Sequence, residues 1–282
     1  MADKVVVEKL RRQAWQIRRE LLRLCNHTLI HIGGDLSATD IMTVIWQYAL
    51  KFDLDNPRFE GRDRFVLSKG HAAALVSFCQ AMRGCYEIEQ IHKEYATDFG
   101  RFGMHSCNLC NPYVEVSTGS LGHGLPIATG IAKALKLKKN QESRVYVVMG
   151  DGELNEGTMW ESAMLAPQLK LGNLVGFVDR NRMQFDGLTE DILDIEPLVD
   201  KWKAFRWNVH EIDGHDLNEL VDAVDGLPAP TSDIPTVFIC NTVKGKKVSF
   251  MENVWSWHAG QLSEADYQRA LADVDAAYER GE

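Results

Sequence analysis

The sequence predicts an α/β protein built on a parallel sheet with helices on both faces. Three observations predict it. The short apolar runs RFVL, VYVVM, LVGFVD and PTVFICNTV are continuous rather than alternating, as in strands buried on both faces. Segments with helical periodicity lie between them, the pattern of βαβ units. Polar residues gather where the apolar runs stop, notably GDG after VYVVM and RN after LVGFVD, and in such folds ligands collect at the carboxyl ends of strands.

The elements follow in order. Leu10, Ala14, Ile17, Leu21 and Leu24 recur at three- and four-residue steps and predict an amphipathic helix over 5–27. Ser37 with Asp40 resembles a capping box opening a second helix, SATDIMTVIWQYAL. RFVL (64–67) is a buried strand, and a helix runs from Gly70 to about residue 82. Residues 98–118, with Gly, Pro, Asn and Cys, read as irregular. Then come the small-residue helix GLPIATGIAKALKL, the strand VYVVM, a helix from about Glu156 to Lys170, and the strand LVGFVD. A turn at Gly187 leads to a helix over 196–205, followed by strand WNVHEI, helix DLNELVDAV, strand PTVFICNTV and a final helix over 263–279. No internal repeat, low-complexity stretch or inter-domain linker interrupts the alternation, so one domain over 1–282 is expected.

A hydrophobic fraction of 45% and a charged fraction of 25% describe a soluble globular chain. There is no apolar run of membrane-spanning length, and the first residues lack a signal-peptide pattern, so a cytoplasmic protein is expected. A net charge of −9 argues against nucleic-acid or anionic-membrane partners, and a bound phosphate would need a local source of positive charge.

The stretch VMGDGELNEG (148–157) sets Asp151, Glu153 and Glu156 close together with no Lys or Arg. It lacks the spacing of a dinucleotide fingerprint and the lysine of a P-loop, and its acids would repel phosphate. A carboxylate at a strand end among glycines suits a cation, and magnesium shares its oxygen ligands with substrate phosphates. Asn181, at the end of the next strand, offers a second oxygen. Either residue alone reads as a turn residue; at the ends of successive strands they form a more specific pair.

GDG followed one helix and one strand later by Asn resembles the motif of thiamine diphosphate enzymes. The resemblance implies that Asp151, Asn181 and the backbone carbonyl of Met183 hold magnesium, with calcium or manganese as possible substitutes, and that the ion bridges the cofactor's diphosphate. Arg180 stands where many members have a further Asn. HIGGDLS, FVLSKGHAA, the region of MHSC, EVSTGSLGHG and VKGKKVSFMENVWSWHAG are similar, in the same order, to the amino-terminal part of transketolase. By this resemblance His31, His71, His105 and His258 bind sugar hydroxyls and assist proton transfer, work suited to imidazoles that titrate near neutrality. His71 and His258 also reach the cofactor. His105 sits in a neighbourhood that departs from the family pattern. Gly119, Ser120 and Leu121 would meet the middle of the cofactor, Gly152 would let the diphosphate approach the backbone, and Lys244 would contact it. Glu156 would join a carboxylate network across the subunit interface, and Glu153 has no assigned role. His27, His92, His123, His210 and His215 read as structural or surface residues.

Nothing after residue 258 resembles the two further domains of a full transketolase, including the one whose Glu activates the pyrimidine ring. The chain is therefore an excised fragment or the first subunit of a split enzyme. Termini without tag or fusion scar favour the subunit, acting in an α2β2 heterotetramer with a second subunit that carries the pyrimidine-binding and C-terminal domains. The expected reaction is transfer of a two-carbon ketol unit from a ketose phosphate, with pentose phosphates as the base expectation and branched or sulfonated sugars as alternatives. A subunit of another thiamine diphosphate lyase or dehydrogenase, or a non-catalytic regulator that keeps the cofactor site, are the competing functions.

HSCNLC (105–110) sets Cys107 and Cys110 in C-x-x-C spacing. Structural zinc usually needs a second such pair, and a redox motif should open a helix in a thioredoxin-like unit. The pair reads as ordinary reduced loop cysteines, with a redox-sensitive pair and a metal site as alternatives.

Overall fold

The computed structural model describes residues 2–282. All five strands run parallel, in the order β1-β2-β3-β5-β4, where β1 is Arg64–Leu67, β2 Val145–Gly150, β3 Leu174–Arg180, β4 Asn208–Asp213 and β5 Thr236–Asn241. The continuous apolar runs follow from burial on both faces. Tyr146 and Val148 of β2 and Val175 and Phe177 of β3 enter one core, while Val145, Val147, Met149, Leu174 and Val178 enter the other.

The first core is closed by α1 (Lys4–His27), α2 (Ile32–Val44), α3 (Ala73–Met82), α9 (Leu217–Asp225) and α10 (Glu264–Glu279). The second is closed by α5 (Gly124–Leu137), α6 (Gly157–Gln168) and α8 (Leu198–Ala204). The shorter α-helices are α4 (Ile88–Glu94), whose Ile91 joins the first core, and α7 (Thr189–Leu193). Among the described residues no helix is long and apolar enough to cross a membrane.

The strands and most helices stand where the sequence placed them, within a few residues. One expectation is overturned. Ser37 does not cap a helix: α2 begins at Ile32, and Ser37 lies inside it with its hydroxyl 2.6 Å from Asp179 Oδ2. Gly33 and Gly34 lie in the first turn of α2, and at Gly33 another segment passes too close for a side chain. A Cβ on Gly33 would lie 2.5 Å from the carbonyl oxygen of Trp257. Every residue of α2 is buried, so the helix shows no solvent stripe to mark its start. Asp40, the other half of the expected capping box, instead accepts a two-pronged bond from Arg18 at 2.6 and 2.8 Å.

Register brings the ends of β2 and β3 together. Gly150 pairs with Asp179, so the chain leaves β2 at Asp151 beside the exit of β3 at Arg180 and Asn181. The amide of Asp151 still donates to the Asp179 carbonyl at 3.3 Å.

Candidate functional site

Asp151 is buried, and its carboxylate accepts from the backbone N–H groups of Gly152 (2.8 Å) and Arg182 (2.6 Å). Burial, and then the negative Asp179 nearby, push its pKa up to about 7. An acid placed like this is one that a cation would hold ionised.

Asn181 is buried two residues beyond Asp179. Its Nδ2 donates to Ser37 Oγ at 3.2 Å and to Asp179 Oδ2 at 3.3 Å, which fixes the amide orientation and leaves Oδ1 as an acceptor. That oxygen accepts the Met183 N–H at 3.1 Å, folding the backbone so that residues 181–183 form one compact turn. Among the described residues no group of three His, Cys, Asp or Glu side chains converges as a metal cage. One carboxylate, one amide oxygen and one backbone carbonyl can still hold magnesium if a ligand phosphate and water complete the shell.

The four histidines gathered from four separate motifs converge. His31, at the start of α2, has its ring centre 5.3 Å from His71, 5.5 Å from His258 and 6.0 Å from His105; His71 and His258 are 5.2 Å apart. Burial lowers the pKa of His31 and drives that of His71 well below the usual value; His258 falls to about 3, by burial and then by the charge of Lys244. These three rings are neutral at neutral pH. Lys244 is buried and its Nζ lies 3.0 Å from His258 Nδ1 and donates to the carbonyl of Gln184 at 3.1 Å. With Nδ1 accepting, the proton of His258 sits on Nε2, on the side away from Lys244. His31 Nδ1 is buried without a protein partner, as a group waiting for a ligand would be. Phe185, largely exposed, packs edge-on against His258 at 5.1 Å.

The loop from Thr118 to Gly124 lies beside this cluster. Gly119 leaves room for the His105 ring, 3.5 Å from where a side chain would begin, and a Cβ on Gly70 would lie 2.7 Å from the Gly119 nitrogen. The Ser68–His71 segment and the Gly119 loop therefore touch backbone to backbone. Ser120 is exposed and Leu121 half-buried on this loop. Gly152 faces Gln184, whose Cγ would lie 2.6 Å from an added Cβ. Glu156 is exposed at the N-terminus of α6, its side chain against Gly122 and not among the histidines.

Lys69 and Asp179, which sequence reasoning passed over, and Glu153, which it left without a role, are central. Lys69 is buried, with Nζ 2.5 Å from Asp179 and 3.0 Å from the Gly34 carbonyl. Asp179 also accepts from Ser37 and from Thr242 Oγ1 at 2.5 Å, and Lys69 together with these hydrogen bonds keeps its pKa low against burial. Glu153 is buried and accepts from Ser68 Oγ (2.5 Å), the Gly122 N–H (2.9 Å) and the Gly150 N–H (3.0 Å). It fastens three loops of the site to one another. The sequence did carry one signal: Asp179 ends the otherwise apolar run LVGFVD, and Lys69 follows the strand RFVL by two residues.

Fold and site define a parallel-sheet α/β protein with its polar cluster at the carboxyl edge of the strands. Residues 26–274 match the family described as transketolase, thiamine diphosphate binding domain. The chain is 36% identical over 278 residues to an apulose-4-phosphate transketolase subunit of Phocaeicola vulgatus, covering 97% of this chain and 96% of that one. It is also 36% identical over 246 residues to a 6-deoxy-6-sulfo-D-fructose transketolase subunit of a Clostridium species, covering 87% and 88%. The crystal structure of transketolase from Campylobacter jejuni superposes with a TM-score of 0.85 at 26% identity, covering 97% of this chain and 43% of that one. The chain belongs to the transketolase family, as its thiamine diphosphate-binding, amino-terminal domain. It spans less than half the length of that solved transketolase and nearly the whole length of the Phocaeicola vulgatus subunit.

Proposed function

We propose that this chain is a single-domain, cofactor-binding subunit of a thiamine diphosphate-dependent transketolase, cytoplasmic and active with a second subunit that carries the pyrimidine-binding domain. The observation that carries the reading is the convergence of four histidines from four distant motifs beside the Asp151–Asn181 strand ends. A thiamine diphosphate lyase or dehydrogenase that acts on no sugar has no use for that cluster.

Asp151, Asn181 and the Met183 carbonyl would hold magnesium, and the ion would add its charge to that of Arg180, whose Nη1 lies 3.7 Å from Asp151. When bound, thiamine diphosphate supplies the electron sink for breaking a carbon–carbon bond beside a carbonyl. The rest of the chemistry falls to this chain's side chains. Neutral imidazoles both donate and accept, so His31, His71 and His258 can hold sugar hydroxyls and pass protons without carrying charge. Lys244 holds His258 by Nδ1 and so aims its Nε2–H. His105, more exposed, stands at the outer side where an acceptor sugar would arrive. Gly119, Ser120 and Leu121 would border the cofactor, and Gly152 would give its diphosphate access to backbone. Glu156, exposed in this chain, would face the partner. An α2β2 heterotetramer acting on sugar phosphates completes the proposal.

Reconstitution tests it. The chain alone should transfer no ketol units from a panel of ketose phosphates, and a partner subunit with the pyrimidine-binding domain should restore transfer. Full turnover by the isolated chain would contradict the split-subunit reading.

A further inference from the structure

Cys107 and Cys110 lie on a loop beside the histidines, and the cofactor site makes no use of them. The loop that carries them is more ordered than an ordinary turn. The Asn111 N–H donates to the Cys107 carbonyl at 3.0 Å, closing one helical turn over the pair. The turn is fastened at both ends: the Asn108 N–H donates to Ser117 Oγ at 3.0 Å, and the Asn111 side chain bonds Gln80 at 2.8 Å and Tyr86 at 2.9 Å. Residues three apart on such a turn have Cβ atoms about 5–6 Å apart, and a disulfide needs about 3.5–4.5 Å. Closure needs only a small local adjustment.

We propose that Cys107 and Cys110 form a reversible intrachain disulfide site that exchanges with external disulfides. The two thiols are unequal in the way such exchange requires. The Cys107 sulfur is met by the backbone N–H groups of Cys110 and Leu109, by the Cys110 thiol and by Ser117, which lower its pKa, while Cys107 raises that of Cys110. Cys107 is half-buried and Cys110 exposed. The other thiols cannot compete. Cys25, Cys79 and Cys240 are buried, and burial raises Cys85, only part-exposed, to about 12.

The chemistry balances. The Cys107 thiolate attacks one sulfur of the external disulfide, forming a mixed disulfide and releasing one thiolate. Cys110 gives its proton to solvent and attacks the Cys107 sulfur, forming the intrachain bond and releasing the second thiolate. Two thiols here are oxidised and one external disulfide is reduced to two thiols. The pair lies just beyond His105, on the loop whose Ser106 carbonyl accepts the Thr118 N–H at 3.1 Å, so closure acts where the histidine loop meets the Gly119 loop.

The experiment uses the full, reduced chain and glutathione disulfide, and it reads chemistry rather than catalysis, so it stands apart from the transketolase proposal. Free thiols should fall by two. The peptide between Arg101 and Lys133, which contains both cysteines, should lose the mass of two hydrogen atoms, and dithiothreitol should restore it. Cys110→Ser should stall with glutathione on Cys107, and Cys107→Ser should react far more slowly. A pair that keeps both thiols, that holds two glutathiones without closing, or that links two chains would overturn the proposal.

Discussion

Lys69 and Asp179 form an ion pair 2.5 Å long, with side chains 2% and 0% exposed, beneath the strand ends that carry Asp151 and Asn181. The pair joins the segment leaving β1 to the end of β3, and Asp179 in turn orients Asn181. A buried pair adds little over apolar packing, but breaking one leaves an uncompensated charge. Lys69→Met should therefore lower the stability of the chain by about 3–5 kcal/mol, measured by urea unfolding. A loss well under 1 kcal/mol would show that Asp179 needs no counter-ion.

Glu153 tests the loops. In Glu153→Gln the amide nitrogen replaces either the oxygen that accepts from Gly150 N–H or the one that accepts from both Ser68 Oγ and Gly122 N–H, so at least one donor loses its acceptor. The expected cost is about 1–3 kcal/mol, with faster proteolysis in the 118–124 loop. Unchanged melting and unchanged cleavage would show that the carboxylate is not what joins the loops.

His258 gives a pH signature. An unfolded His titrates near 6.5, while folded His258 is pushed down to about 3. Between those values the unfolded chain binds a proton that the folded chain refuses, so stability falls as pH drops below about 6.5 and the contribution is constant above it. The stability of the wild type relative to His258→Asn should therefore decline from about pH 7 to about pH 5, by chemical denaturation at each pH. A difference that stays flat would mean that His258 titrates normally in the folded chain.

Much of this was open to the sequence. The apolar runs are strands because both faces of each are covered, and the strand ends carry Asp151 and Asn181 as the alternation implied. The four histidines were legible through their motifs, and the structure brings them together. The start of α2 was hidden because every residue of that helix is buried, so no polar stripe marks where it begins. Lys69 and Glu153 were hidden for a related reason. A charged residue beside an apolar run looks like a surface turn until its distant partners, Asp179 and Ser68, are known.

In the proposed function Asp151 would seat a metal ion that holds the diphosphate. Calorimetric titration of thiamine diphosphate into the complex of this chain with its partner subunit, with magnesium present, tests it most directly. Asp151→Ala should weaken binding by ~100-fold or more, equivalent to about 3 kcal/mol, and should remove its dependence on magnesium. Unchanged affinity with unchanged magnesium dependence would contradict the account.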